Sequence, residues 1–156
     1  FLTALRRGIR RMEWLFDPLQ IKNAYFNMEV LGAVVRRFAP NHYGVDSLVD
    51  GGGLPTDVCI AEWEMDSQPV AAILKAAPRP RPPVEATIEV PVEISDIKRC
   101  DTRLACEIQQ RVSEQFLLHF SRGLMATGFK RTPTVGVFLL SRSDRPNQLN
   151  SSRTSR

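Results

Sequence analysis

Four prolines fall within the seven residues Ala77 to Pro83 (APRPRPP), with Arg79 and Arg81 set between them. Proline lacks the backbone N–H that a helix interior or a central strand requires, and it pushes the residue before it toward extended conformations. No helix or inner strand can pass through this stretch. The chain is therefore divided into two parts, each of which must build its own secondary structure, with residues 77–85 as an extended linker between them. A polyproline spacer is the expected form, and a ligand for an SH3-type groove is the other use of such a run.

On the N-terminal side, residues 1–76, the opening segment FLTALRRGIRR has helical apolar spacing and reads as the end of a helix carrying cations, with a transit peptide as the alternative. Ile9 to Phe16 then alternates Met12, Trp14 and Phe16 against Glu13 and Leu15, the period of a strand. Asp17-Pro18 ends it. From Leu19 to Leu31, the positions Leu19, Ala24, Met28 and Leu31 mark an amphipathic helix that Gly32 is placed to stop. Ala33 to Phe38 (AVVRRF) follows as a second strand, and Asp57 to Met65 alternates as a third. Between them lies a Gly, Asp and Ser-rich loop, and Pro69 to Ala77 makes a short helix. The order strand, helix, strand with short joints is that of an α/β layer.

Beyond the linker, residues 86–140 repeat that order. Ala86 to Val92 is a strand that must lie at a sheet edge or break near Pro91. Asp101 caps a long helix predicted to run to about Thr127, with Leu104, Ile108, Val112, Phe116, Phe120 and Leu124 as its stripe and Gly128 as its stop. Thr134 to Leu140 is the last strand. This part has too little core to stand alone and is expected to pack on the first sheet. The predicted fold class is thus α/β, built as a mixed α+β sheet.

The 156 residues are enough for one compact core, and no stretch approaches the ~18 consecutive apolar residues of a membrane-spanning helix. A soluble, cytoplasmic protein is expected. Three cysteines, Cys59, Cys100 and Cys106, have neither an even count nor a CxxC spacing, and the two histidines, His42 and His119, have no metal-ligand spacing, so neither a disulfide framework nor a metal site is expected. Of the 21 Lys and Arg, seven lie from Ser121 onward against the single acid Asp144, so the net charge of +4 belongs to the C-terminal part. Residues 141–156 read as a disordered basic tail. Sequence-blind phosphate binding is its sharper alternative, without the interleaved aromatics that single-stranded nucleic acid calls for, so nucleic acid is not an expected partner. Gly51-Gly52-Gly53 has no following Lys-Ser/Thr and precedes a strand, so it reads as a turn rather than a phosphate loop.

The segment EWLFDPLQIKNAYFNMEVLGAVVRRF resembles the strand, helix, strand region of GNAT-superfamily acetyltransferases. Ala24 and Gly32 stand eight apart, as in that superfamily's Ala-x-x-x-Tyr-x-x-x-Gly helix. Together with Asn41-His42-Tyr43-Gly44, Gly53-Leu54-Pro55-Thr56-Asp57, Thr87-Ile88-Glu89-Val90-Pro91 and GFKRTPTVGVFLL, the chain is similar over about Leu5 to Leu140 to a bacterial group described as predicted GNAT acetyltransferases.

The resemblance implies an acyl-CoA-dependent N-acyltransferase, with acetyl-CoA as cosubstrate and a small-molecule or peptide amine as acceptor. It also implies that the chain is N-terminally incomplete, because the glycine-rich pyrophosphate turn of the family does not occur in it. Asn23 and Asn27, one turn apart, are the residues assigned to the cofactor's pantetheine arm, with helix-turn and solvated roles as their alternative. The family's proton-donating tyrosine falls at Met28, which cannot donate; Tyr25 is the nearest phenol. Glu13 and Asp17 are the carboxylates that would orient an amine or a water, unless they serve solvation and capping. The competing function is a non-catalytic half-domain that pairs through a sheet edge, for instance as a homodimer.

Overall fold

The computed structural model describes residues 6–42 and 54–143. Its six strands form one sheet: β1 (Arg11–Phe16), β2 (Val34–Ala39), β3 (Val58–Glu64), β4 (Ala86–Pro91), β5 (Leu124–Arg131) and β6 (Val135–Arg142), in the spatial order β1-β3-β2-β5-β6-β4. Four α-helices accompany them among the described residues: α1 (Ile21–Tyr25), α2 (Gln68–Leu74), α3 (Ile94–Cys100) and α4 (Thr102–Ser121).

Every strand pairing is antiparallel. The expected combination of helices with one sheet, of α+β kind, is present, but the sheet is antiparallel rather than mixed. The reason is topological. β1 and β2, joined through α1, do run parallel, yet β3 returns into the slot between them and pairs with both. In the second half β4 and β5, joined through α3 and α4, are likewise separated by β6. The two halves meet where β2 runs beside β5, and there the register holds a single pair, Val35 with Ala126. Pro91 lies in β4 at the sheet edge, where a missing N–H costs no ladder bond.

Cross-strand partners share a face, so Trp14, Phe16, Cys59, Ala61 and Phe38 project to one side. The helices cover that side. Phe116 of α4 stacks on Phe38 with centroids 5.0 Å apart and meets Phe138 and Phe120 edge-on. Ala24, Met28, Val112, Ile88 and Val90 complete a continuous core. Asp101 caps α4 as its sequence predicts, accepting a hydrogen bond from the N–H of Leu104 at 3.0 Å.

That helix is shorter than its apolar stripe suggests. It ends at Ser121, and Gly123, at φ +81°, turns the chain into β5. Leu124, Met125 and Ala126 are good helix formers that extend the stripe, which is why periodicity alone carries the helix to Thr127. Gly128 is not a helix stop but a strand residue beside a bulge between Ala126 and Gly128. Helix α3 has no counterpart in the sequence reading.

The helix predicted at Leu19 to Leu31 begins as α1 and widens into a π-helix over Phe26–Val30, where Leu31 N–H bonds Phe26 O. Gly32 stops it at φ +76°, and a Cβ there would lie 2.8 Å from Ile73 Cδ1 of α2. The positive φ favours glycine, and any side chain there would also have to displace the Ile73 methyl. β6 runs past the expected Leu140 to Arg142. The opening residues 1–5, Tyr43-Gly44, the Gly51–Gly53 run and the tail from Asp144 lie outside the described residues.

Candidate functional site

Past the Val35 and Ala126 pair, β5 has no strand partner on its β2 side among the described residues. Its backbone groups there still need hydrogen bonds, since a buried unpaired one costs roughly 1–3 kcal/mol. Side chains supply them. Arg79, from the proline-rich linker, donates from Nη2 to Thr127 O at 2.9 Å and from Nη1 to Met28 O at 2.6 Å, joining the end of the π-helix to β5. Glu29 Oε1 accepts from Phe129 N–H at 2.7 Å. Arg81 then grips Glu29 with both nitrogens, Nη1 to Oε1 at 3.0 Å and Nη2 to Oε2 at 2.7 Å. The linker is therefore pinned into the sheet rather than spanning free space.

This arrangement sets the electrostatics. Burial pushes the Glu29 carboxyl up, but the Arg81 hydrogen bonds, the Phe129 N–H and the charges of Arg79 and Arg81 outweigh it and hold it below its ordinary value. The Arg79 side chain is only 8% exposed; burial draws its guanidinium below its ordinary value, opposed by Glu29 with Oε2 3.6 Å away. Gly128 makes room for the pair: a Cβ there would stand 3.1 Å from Arg81 Nη1 and 3.2 Å from Glu29 Oε1.

Over β5, between the first helix and the linker, lies a cleft of about 560 Å³. Tyr25 and Glu29 line it from the helix, Arg81, Pro82 and Val84 from the linker, Thr127 to Arg131 from β5, and Leu139 from β6. The Arg131 guanidinium lies 3.9 Å from the centre of the Tyr25 ring, within cation–π range. Beneath, Thr127 and Ser141 share a buried hydroxyl contact at 3.1 Å. The cleft thus combines a phenol, cations and apolar walls.

The residues singled out from sequence are distributed differently. Asn23 is exposed, and its Nδ2 donates to Gln20 Oε1 at 2.7 Å. Asn27 is 6% exposed, and its Oδ1 accepts from Trp14 Nε1 at 3.0 Å. Neither lines the cleft, and the two do not act from one face. Met28 is fully buried and does not line the cleft. Asp17 accepts from Leu19 N–H at 2.8 Å and faces Lys98, a local capping role. His42 lies in an exposed turn and His119 in the last turn of α4. Cys59 is buried, and desolvation pushes its thiol well above the ordinary value.

Glu13 belongs to a separate network on the uncovered face of the sheet. Glu13 and Glu62 are direct cross-strand neighbours, a repulsive placement offset by three arginines. Arg11 reaches both carboxylates, Arg37 reaches both, and Arg36 Nη1 stands 2.8 Å from Glu62 Oε2. Adjacent residues of a regular strand face opposite ways; Arg36 and Arg37 share Glu62 because the register slips at a bulge between Val35 and Arg37. The Arg37 hydrogen bond leads in holding the Glu13 carboxyl below its ordinary value, against burial and with Arg11 assisting. A carboxylate so held is a poor base. Glu62 is only 2% exposed, so this network braces the sheet instead of addressing a ligand.

Among the described residues, no cluster of His, Cys, Asp and Glu is arranged to hold a metal ion, and no helix is long and apolar enough to cross a membrane. No family model matches the chain, and no curated protein or solved structure matches it either.

Proposed function

We propose that the chain serves acyl transfer from a CoA thioester, acetyl by resemblance, to an amine, with the cleft over β5 receiving the reactants. The observation that carries this reading is the position of Tyr25. It stands on the helix whose Ala24 and Gly32 spacing resembles the acetyltransferase helix, and it lines the cleft, whereas Met28 is buried. In the reaction the amine nitrogen forms a bond to the thioester carbon as the carbon–sulfur bond breaks. The departing thiolate takes the phenol proton of Tyr25, and the amine's surplus proton passes to water. Glu29 is no base for that step, because its oxygens are engaged by Arg81 and Phe129.

The test is to incubate the protein with acetyl-CoA and a panel of primary amines and to detect acetylated product by mass spectrometry. Tyr25→Phe should lower kcat by about 10²-fold, in the range of general-acid catalysis, with little change in KM. Full activity in Tyr25→Phe, or no product with any amine, would overturn the reading.

A second reading, an interaction module that pairs through the edge of the sheet, is favoured by β1. It is an edge strand on which Met12 and Leu15 are exposed. Light scattering on a size-exclusion column decides it: a monomer at all concentrations removes its basis.

A further inference from the structure

The cleft's charge balance points to the class of ligand. Among the described residues Glu29 is the only acid lining it, and that carboxylate is already matched by Arg81, with Arg79 behind it. Lys130 and Arg131 add two positive charges, and among the described residues neither is paired with a carboxylate. Stacking over Tyr25 orients the Arg131 guanidinium and, among the described residues, leaves its N–H groups without an acceptor. A planar guanidinium so held matches the two oxygens of a carboxylate or phosphate. Opposite these cations the walls are apolar, from Pro82, Val84 and Leu139. At about 560 Å³ the space suits a small organic molecule rather than a bare inorganic ion.

We infer that the cleft selects an apolar organic oxyanion, its carboxylate or phosphate against Arg131 and Lys130 and its apolar body against Pro82, Val84 and Leu139. As the acceptor of the proposed reaction, which is the part that rests on the acyl-transfer reading, it is an amine carrying its own anionic group and an apolar chain.

The experiment is a calorimetric titration at low salt of hexanoate, hexyl phosphate, hexanamide and inorganic phosphate into the intact protein, with no acetyl-CoA present. Hexanoate or hexyl phosphate should bind about tenfold or more tightly than hexanamide, and more tightly than inorganic phosphate. The stronger of the two names the headgroup. Arg131→Ala combined with Lys130→Ala should abolish that preference, while Arg131→Lys keeps part of it. Both side chains are exposed, so an unchanged thermal melt checks that the fold survives. Equal binding of hexanamide, binding of inorganic phosphate as tight as hexyl phosphate, no binding of either oxyanion, or a preference that persists in the double variant would overturn the inference. The two proposals fail separately. Oxyanion binding without transfer sinks the acyl-transfer reading alone, and transfer to neutral amines without oxyanion binding sinks this one alone.

Discussion

Replacing Arg79 with methionine should lower the free energy of unfolding by about 3 kcal/mol, measured by urea denaturation. The side chain is 8% exposed and spans two carbonyls, Met28 O and Thr127 O, on elements that no strand ladder joins at that point. Methionine preserves much of the volume but leaves both carbonyls without their donor and Glu29 with one cation fewer. Arg79→Lys should recover only part of the loss, because a single ammonium lacks the fork that bridges two acceptors. A loss below about 1 kcal/mol for Arg79→Met, the scale of an exposed ion pair, would mean that the linker merely lies over the sheet. The same variant should weaken ligand binding in the cleft, since Arg79 holds the helix and β5 at the spacing that forms its walls.

Phe116→Ala should cost about 4–5 kcal/mol, near the upper end for removal of a buried aromatic ring. Phe116 is fully buried and touches three other rings, from β2, α4 itself and β6. Each aromatic pair contributes about 0.5–1.5 kcal/mol beyond its area, so the cavity left behind also removes geometry-specific contacts. Because those rings sit on strands from both halves of the chain, Phe116 is where α4 fastens the halves together. Phe116→Leu, which keeps most of the apolar volume, should cost about 1–2 kcal/mol. Retention of nearly full stability by Phe116→Ala would contradict the seating of α4 on the sheet. The cleft lies elsewhere, so ligand affinity of the folded Phe116→Leu protein should be unchanged.

These two residues illustrate what sequence patterning can and cannot reach. Phe116 is legible, because it falls on the stripe with Ile108, Val112 and Phe120 and is buried as that stripe implies. Local stops and caps were also legible: Asp101 caps α4 and Gly32 ends the first helix, and of the two fates Pro91 allows β4, an edge or a break, the structure shows the edge. Strand β5 was not, because Leu124 to Ala126 continue a helical stripe and the true stop, Gly123, precedes them by one residue. The insertion of β3 between β1 and β2 is a long-range pairing that no local period encodes.

The site was less legible still. Arg81 and Glu29 lie 52 positions apart, and Glu29 and Phe129 lie 100 apart. Alternating prolines and arginines read as a spacer until a partner for Arg79 and Arg81 is in view. Tyr25 was visible as a phenol near the right helix turn, but its place in a cleft depends on β5. Asn27, which spacing alone places beside Asn23, lies past the onset of the π-helix and is turned inward to Trp14.

The central claim, that the cleft between the first helix, the linker and β5 is the place where reactants meet, is tested most directly by amide NMR of the labelled protein titrated with acetyl-CoA. The amides of Tyr25 and of Gly128 to Arg131 should shift in a saturable manner and by more than those elsewhere in the sheet. Shifts confined to the face carrying Glu13 and Glu62, or no shifts at saturating acetyl-CoA, would contradict it.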